Sequence, residues 1–179
     1  MKLDKSYKEI LPNITTFIFD VDGVLTDGSV TLFPDGSQIR KMSTRDGYAL
    51  QLAVKKGFNI IIISGGKDEQ VRTRLNGLGI KMVYLGISDK IEKLEDILIE
   101  NKLNRDEIVY MGDDMPDFEI MQQVGLATCP KDACSDIREI SDYISPFNGG
   151  NGCARDILEQ TMKVQEKWGD TPEDKTRSI

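Results

Sequence analysis

The chain has 179 residues, 39% hydrophobic and 30% charged, the size and composition of one folded domain, which excludes wholesale disorder and two full-sized domains. Its formal net charge of −7 argues against a nucleic-acid backbone as partner, and no apolar run approaches the roughly 20 residues of a membrane span. It contains no histidine, which removes Ser-His-Asp triads, His-based zinc hydrolysis and a His general base, leaving Asp, Glu, Ser, Lys, Arg or a bound metal to carry any chemistry.

Met1–Lys5 leads into mixed polar sequence, so no secretory signal is expected. Ile14–Asp20 is predicted as a buried strand from its β-branched and aromatic run. Ser29–Phe33 and Ser37–Met42 flank Pro34-Asp35-Gly36, a hairpin signature. Asp46–Lys56 has helical spacing and stops at Gly57; Phe58–Ile63, apolar on both faces, reads as a central parallel strand. A helix over Lys67–Leu78, a strand over Lys81–Leu85, a helix over Asp89–Asn101 and a strand over Glu107–Met111 follow. Phe118–Val124 is a short helix, Leu126–Cys129 and Asp142–Ile144 are short strands, and Gly152–Lys167 is a closing helix. Gln165–Ile179 carries seven charges in fifteen residues and reads as a mobile tail, with the folded domain over 1–168 and the tail proper over 169–179. The alternation predicts an α/β fold, a doubly wound, mostly parallel Rossmann-like sheet with a projecting β-hairpin. Cys129, Cys134 and Cys153, an odd number without a C-x-x-C pair, point to reduced thiols and a cytoplasmic setting.

In such a sheet, ligands bind beyond the carboxyl ends of the strands. The predicted strand ends carry Asp20-Val21-Asp22-Gly23, Ser64-Gly65, Asp89-Lys90 after Gly86, and Gly112-Asp113-Asp114 with Asp117. Taken singly, an Asp after a strand is as readily a helix cap, and Lys90 a solvated helix residue. Taken together, converging carboxylates repel one another and call for a hard cation; oxygen-only ligation suits Mg²⁺. Gly65-Gly66-Lys67 is not a phosphate-binding P-loop, because the first glycine of that motif is absent and Asp68 replaces its Ser/Thr.

Asp20-Val21-Asp22-Gly23-Val24-Leu25-Thr26-Asp27-Gly28, Ser64, Lys90 and Gly112-Asp113-Asp114-x-x-Asp117 resemble the four motifs of the haloacid dehalogenase superfamily. With Thr44-Arg45-Asp46-Gly47-Tyr48, Gly149-Gly150-x-Gly152-x-x-Arg155 and Ser178-Ile179, the chain resembles the capless 3-deoxy-D-manno-octulosonate 8-phosphate phosphatases. The resemblance implies a Mg²⁺-dependent phosphomonoesterase of lipopolysaccharide precursor synthesis. In it, Asp20 is the nucleophile, Asp22 the acid/base, Ser64 and the Gly65 amide hold phosphate oxygens, and Lys90 supplies positive charge. The metal falls to Asp20, Asp22 through its carbonyl, Asp113 and, farther out, Asp114. The gaps from Asp22 to Ser64 and from Lys90 to Asp113 leave no room for an inserted cap domain. Family members assemble as homotetramers through their hairpins, and a neighbour's tail folds over the site. The acidic sugar phosphate then needs local cations, for which Arg45, Lys67, Arg72, Arg155 and a neighbour's Arg177 are the candidates. Family members commonly carry Arg where Gly66 stands; phosphatases of a nine-carbon sugar acid often carry Glu there and Lys where Gly77 stands. The nine-carbon substrate, a phosphorelay receiver and a non-catalytic tetramerising scaffold are the other readings; the order of Lys90 before Asp113-Asp114 disfavours the receiver.

Overall fold

The computed structural model describes residues 6–169. Its strands and helices, in chain order, are β1 (Thr16–Phe19), β2 (Thr31–Leu32), β3 (Gln38–Ile39), α1 (Thr44–Lys55), β4 (Asn59–Ile63), α2 (Glu69–Gly77), β5 (Met82–Tyr84), α3 (Lys90–Asn101), β6 (Ile108–Met111), α4 (Phe118–Met121), β7 (Leu126–Cys129), α5 (Ser135–Ile140), β8 (Tyr143–Ile144) and α6 (Cys153–Val164). Six strands form one parallel sheet in the order β5-β4-β1-β6-β7-β8. The α/β architecture, the parallel sheet and the antiparallel β2–β3 hairpin agree with the sequence pattern.

Successive residues of each central strand point to opposite faces, and both faces are apolar. Phe17, Phe19, Ile60, Ile62, Val109 and Met111 pack under α1 and α6, while Ile18, Ile61, Ile63, Ile108 and Tyr110 pack under α3, α4 and α5. That is why the strands read as continuous apolar runs. The chain runs from β1 outward to β4 and β5, then returns to β6 on the other side of β1, making β1 the topological switch point. Phe19 pairs in register with Ile62 on one side and Met111 on the other, so Asp20, Ser64 and Asp113 leave the sheet at one edge.

Three details depart from the sequence pattern. Helix α5 was not anticipated, because six residues are too few for a helical period to show. Helix α2 starts at Glu69, since Asp68 caps it by accepting from the Gln70 N–H. Residues 165–168 belong to the domain: the Gln165 amide donates to the carbonyls of Leu11 and Ile14, and Trp168 packs against the core. The remainder of the expected tail, with Arg177, lies outside the described residues apart from Gly169. Among the described residues no helix is long and apolar enough to cross a membrane.

Asp46 has a structural assignment. It is buried in α1, and its carboxylate accepts from the backbone N–H groups of Gly152, at 3.2 Å, and Arg155, at 2.8 Å. It thereby satisfies orphan donors at the N-terminus of α6 from across the α1–α6 interface. Replacing Asp46 with Ala should lower stability by about 1–2 kcal/mol, the usual cost of a lost N-cap, and Asn should cost less because it keeps one acceptor. Denaturant midpoints measure this; an unchanged midpoint in the Ala variant would refute the capping role.

Candidate active site

Four elements deliver the site. Asp20 follows β1, and its backbone N–H donates to the Met111 carbonyl at 3.1 Å, so the loop after β1 is stitched to β6 at its first residue. Ser64 follows β4, Lys90 opens α3, and Gly112-Asp113 follow β6. Asp117 ends a 3-10 turn over Met115–Asp117 and is completely buried.

A buried cation organises these groups. Lys90 Nζ lies 2.6 Å from Asp117 Oδ1 and 3.1 Å from Asp20 Oδ1. The Tyr110 hydroxyl donates to the same Asp117 oxygen at 2.6 Å, and the Asp113 N–H donates to Asp117 Oδ2 at 3.1 Å. Three donors thus occupy both oxygens of Asp117, which positions Lys90 and the Asp113 backbone. Burial opposes the charge of Lys90, but Asp20 and Asp117 outweigh it and hold the ammonium above its ordinary pKa. Burial, reinforced by Asp117 and Asp20, keeps Tyr110 a neutral donor.

The carboxylates carry the opposite stress. Burial, then the charge of Asp117, pushes Asp20 up to about 6 despite Lys90. Burial, then the charges of Asp20 and Asp117, pushes Asp113 up to about 7. One oxygen each from Asp20, Asp113 and Asp117 lies within 4.8 Å of the others. All-oxygen donors, too close together and short of positive charge, fit a hard divalent cation. With Asp117 engaged by its three donors, Asp20 and Asp113 are the carboxylates left to face it.

Glycines make this crowding possible. Gly23 has φ +86°, and a Cβ there would collide with the Asp113 carboxylate; one on Gly112 would collide with Asp117. Gly149 and Gly150 press on the same loop, where a Cβ would strike the backbone of Gly23 or Thr26, and the Gly150 N–H donates to the Val24 carbonyl at 2.9 Å.

The other expected residues are placed as follows. Ser64 is buried, and its Oγ accepts from the Gly66 N–H at 3.2 Å, leaving its own proton to offer. The Gly65 N–H has no acceptor among the described residues. Asp22 is gripped by Arg40, from the hairpin, at 2.7 Å. Asp114, expected farther out than Asp113, is exposed and accepts from the Met115 N–H at 2.8 Å, because the turn that brings Asp117 inward sends Asp114 outward as its cap.

Among the described residues, two of the expected substrate cations have other partners. Arg72 is committed to Glu69 and the Val83 carbonyl. Arg155 pairs with Glu159 and stacks over Tyr48 and Trp168. Arg45 and Arg155 instead line a separate cavity of about 560 Å³ with Phe147, Asn151 and Lys163. Lys67 is exposed, its stem lying against Gly86.

Sequence reasoning missed Arg40 and Tyr110 as site residues and placed Asp117 in a motif without giving it a role. Tyr110 had a signal in its place one residue from the end of a strand leading to the acidic loop. Arg40 had none, since its contact with Asp22 depends on how the hairpin folds back.

The family model for haloacid dehalogenase-like hydrolases matches residues 86–157. The 3-deoxy-D-manno-octulosonate 8-phosphate phosphatase of Escherichia coli K12 is 33% identical over 155 residues, 87% of this chain and 82% of that protein. The crystal structure of the Yersinia pestis phosphatase of the same name has a TM-score of 0.87 and 30% identity, covering 89% of this chain and 86% of that one. A Moraxella catarrhalis phosphatase of that name, in complex with a magnesium ion, a phosphate ion and KDO, also has a TM-score of 0.87 and 30% identity, covering 90% of this chain and 92% of that one. Sheet, acidic cluster and these relatives define a haloacid dehalogenase-like phosphatase, a class that works with a divalent metal. Within that class the chain belongs to the 3-deoxy-D-manno-octulosonate 8-phosphate phosphatase family.

The stressed carboxylates have a measurable consequence. Between about pH 4 and pH 7 the folded chain holds more protons on Asp20 and Asp113 than the unfolded chain, so this cluster's contribution to metal-free stability falls as pH rises through that window. At pH 8, Asp113→Asn should therefore stabilise the metal-free protein by roughly 1–2 kcal/mol, about 3–6 °C in Tm. The same variant should lose the Tm increase that Mg²⁺ gives the parent chain. Thermal melts with and without Mg²⁺ test both; a destabilised metal-free variant would contradict the repulsion.

Proposed function

We propose that the protein hydrolyses 3-deoxy-D-manno-octulosonate 8-phosphate to the free sugar acid and inorganic phosphate, a step supplying a lipopolysaccharide precursor. The observation that carries this reading is Asp20 at the switch point of the sheet, ion-paired to buried Lys90 in a chain whose relatives bear that activity in their names. Asp20 attacks phosphorus, forming an aspartyl-phosphate as the bond from phosphorus to the sugar oxygen breaks, and Asp22 passes a proton to that oxygen. Water then attacks the phosphorus of the aspartyl-phosphate, giving its proton to Asp22; phosphate leaves and Asp20 is regenerated. Phosphoryl transfer asks mainly for alignment and charge neutralisation. Ser64 Oγ and the Gly65 N–H donate to the phosphoryl oxygens, and Lys90 sets positive charge beside the nucleophile. Asp20, Asp113 and the Asp22 carbonyl would hold Mg²⁺, which when bound neutralises charge on the phosphoryl group.

The experiment is steady-state turnover of the eight-carbon substrate, its nine-carbon counterpart and an aryl phosphate. Mg²⁺-dependent turnover with the highest kcat/KM on the eight-carbon compound is expected, falling by several orders of magnitude in Asp20→Asn, as removal of a nucleophile does. Undiminished activity in that variant would sink the mechanism, and preference for the nine-carbon compound would overturn the substrate.

Three free thiols support a reducing, cytoplasmic setting. The hairpin supports assembly as a homotetramer: Leu32 is 69% and Ile39 53% exposed, with Val30 and Phe33 beside them. A two-stranded hairpin with so much bare apolar surface is poorly stable in water, and symmetry mates would cover it. Light scattering should give about four times the 20.1 kDa chain mass. The double variant Leu32→Glu, Ile39→Glu should run as a smaller species; a monomeric parent chain would refute the assembly.

A further inference from the structure

The hairpin also has an inner contact. Strand β3 is exposed throughout, yet Arg40, the next residue, keeps its side chain only 11% exposed. Its Nε donates to Asp22 Oδ1 at 2.7 Å and its Nη2 to Asp22 Oδ2 at 3.2 Å, so the planar guanidinium spans both oxygens of the carboxylate. The third nitrogen, Nη1, reaches Asp68 Oδ2 at 3.3 Å and Gln38 Oε1 at 3.4 Å. Asp68 is itself immobilised as the cap of α2. Among the described residues Arg40 is the one hydrogen-bonding partner of the Asp22 carboxylate. A Cβ added to Gly66 would touch Asp22 Oδ2, Ser64 Oγ and Arg40 Nη2 at once, so the guanidinium stands at the edge of the phosphate-binding loop.

We propose that Arg40 is a positioning residue for the phosphatase reaction: from the hairpin it fixes the Asp22 carboxylate at the angle from which it serves the leaving oxygen. This rests on the reading of Asp22 as the group that gives that oxygen its proton. An Asp on a loop has two side-chain torsions to settle, and small misplacements of a reacting group are expensive in rate. A fork anchored at its third nitrogen by Asp68 settles both. The hairpin's seating on the domain therefore sets the geometry of bond cleavage.

The test separates leaving groups. A sugar alkoxide needs a proton to depart, whereas p-nitrophenolate departs without one. Single-turnover rates of phosphorus–oxygen cleavage are measured at saturation on the sugar phosphate and on p-nitrophenyl phosphate for the parent chain, Arg40→Lys, Arg40→Gln and Asp22→Asn. General acid catalysis is worth about 10²–10⁴-fold. Part of it should be lost in Arg40→Gln, slowing sugar release about 10–100-fold while p-nitrophenolate release changes less than about threefold, with KM changing equally little. Arg40→Lys should fall between, because a point charge reaches Asp22 without bridging both oxygens. Equal losses on both substrates, or a loss confined to KM, would instead make Arg40 a structural or phosphate-binding residue and overturn the proposal. So would unchanged sugar release in Arg40→Gln. Asp22→Asn tells the two layers apart. If it shows the leaving-group contrast and Arg40→Gln does not, the positioning role alone fails; if it slows both substrates equally, the acid role fails and the positioning role with it. Arg40→Lys keeps the test decisive if Arg40→Gln unseats the hairpin.

Discussion

The site is built on an electrostatic deficit. Asp20, Asp113 and Asp117 crowd the switch point of the sheet, and Lys90 is the cation buried among them. Burying charge is costly unless it is paired, and a single ammonium leaves that pairing incomplete, as the raised pKa values of Asp20 and Asp113 register. The same shortage makes the cluster a candidate site for a divalent ion. Asp117 is what keeps the deficit from collapsing. By taking Lys90, the Tyr110 hydroxyl and the Asp113 N–H, it prevents Lys90 from neutralising Asp20 alone and fixes the backbone from which Asp113 projects.

The parts of this arrangement that depend on local pattern were legible in the sequence. Buried parallel strands announce themselves as unbroken apolar runs, and ligands of such sheets bind beyond their carboxyl ends, so Asp20, Ser64, Lys90 and Asp113 could be placed at one sheet edge from the sequence. The rest depends on geometry that pattern does not encode. Pattern alone does not distinguish the adjacent aspartates at 113 and 114, which only the family resemblance separates, and the turn over Met115–Asp117 is what sends Asp114 outward. Arg72 and Arg155 look like available cations until Glu69, Glu159 and the rings of Tyr48 and Trp168 are seen to hold them. Arg40 was read only as part of a projecting hairpin, because two-residue strands have no periodicity to show that one side chain turns back into the domain.

Two motifs that carried the family resemblance each contain a mechanical part. Asp46, within Thr44-Arg45-Asp46-Gly47-Tyr48, bonds the start of α6 through Gly152 and Arg155. The residues just before that helix, Gly149 and Gly150, press side-chain-free backbone onto Gly23, Val24 and Thr26. Gly23 in turn leaves the space that the Asp113 carboxylate occupies. A line of contacts therefore runs from α1 through the start of α6 to the loop after β1 and ends at the Asp113 carboxylate of the acidic cluster. Carboxylates that repel one another would spread apart on a compliant loop, and interiors packed at crystal-like density resist that spreading. The glycines serve closeness of backbone rather than flexibility: Gly149 and Gly150 let their loop lie against the loop after β1, and Gly23 leaves the room that Asp113 fills.

This buttressing also accounts for how a chain without a cap domain can keep a defined site. One side of the loop after β1 is braced by Gly149-Gly150, and the other by Arg40 with its anchor on Asp68. The two braces come from opposite ends of the chain and differ in kind: the first is backbone packing, insensitive to salt, and the second is a charged fork at a partly exposed carboxylate. A fork of this kind is directional, so it can set the angle of Asp22 where packing could only limit its range. The hairpin then has two faces with separate tasks. Its apolar residues, Leu32 and Ile39 among them, are exposed, while Arg40 faces inward to Asp22 and Asp68. Any surface that covered the outer face would also hold the strand next to Arg40, and so would bear on the orientation of a single carboxylate.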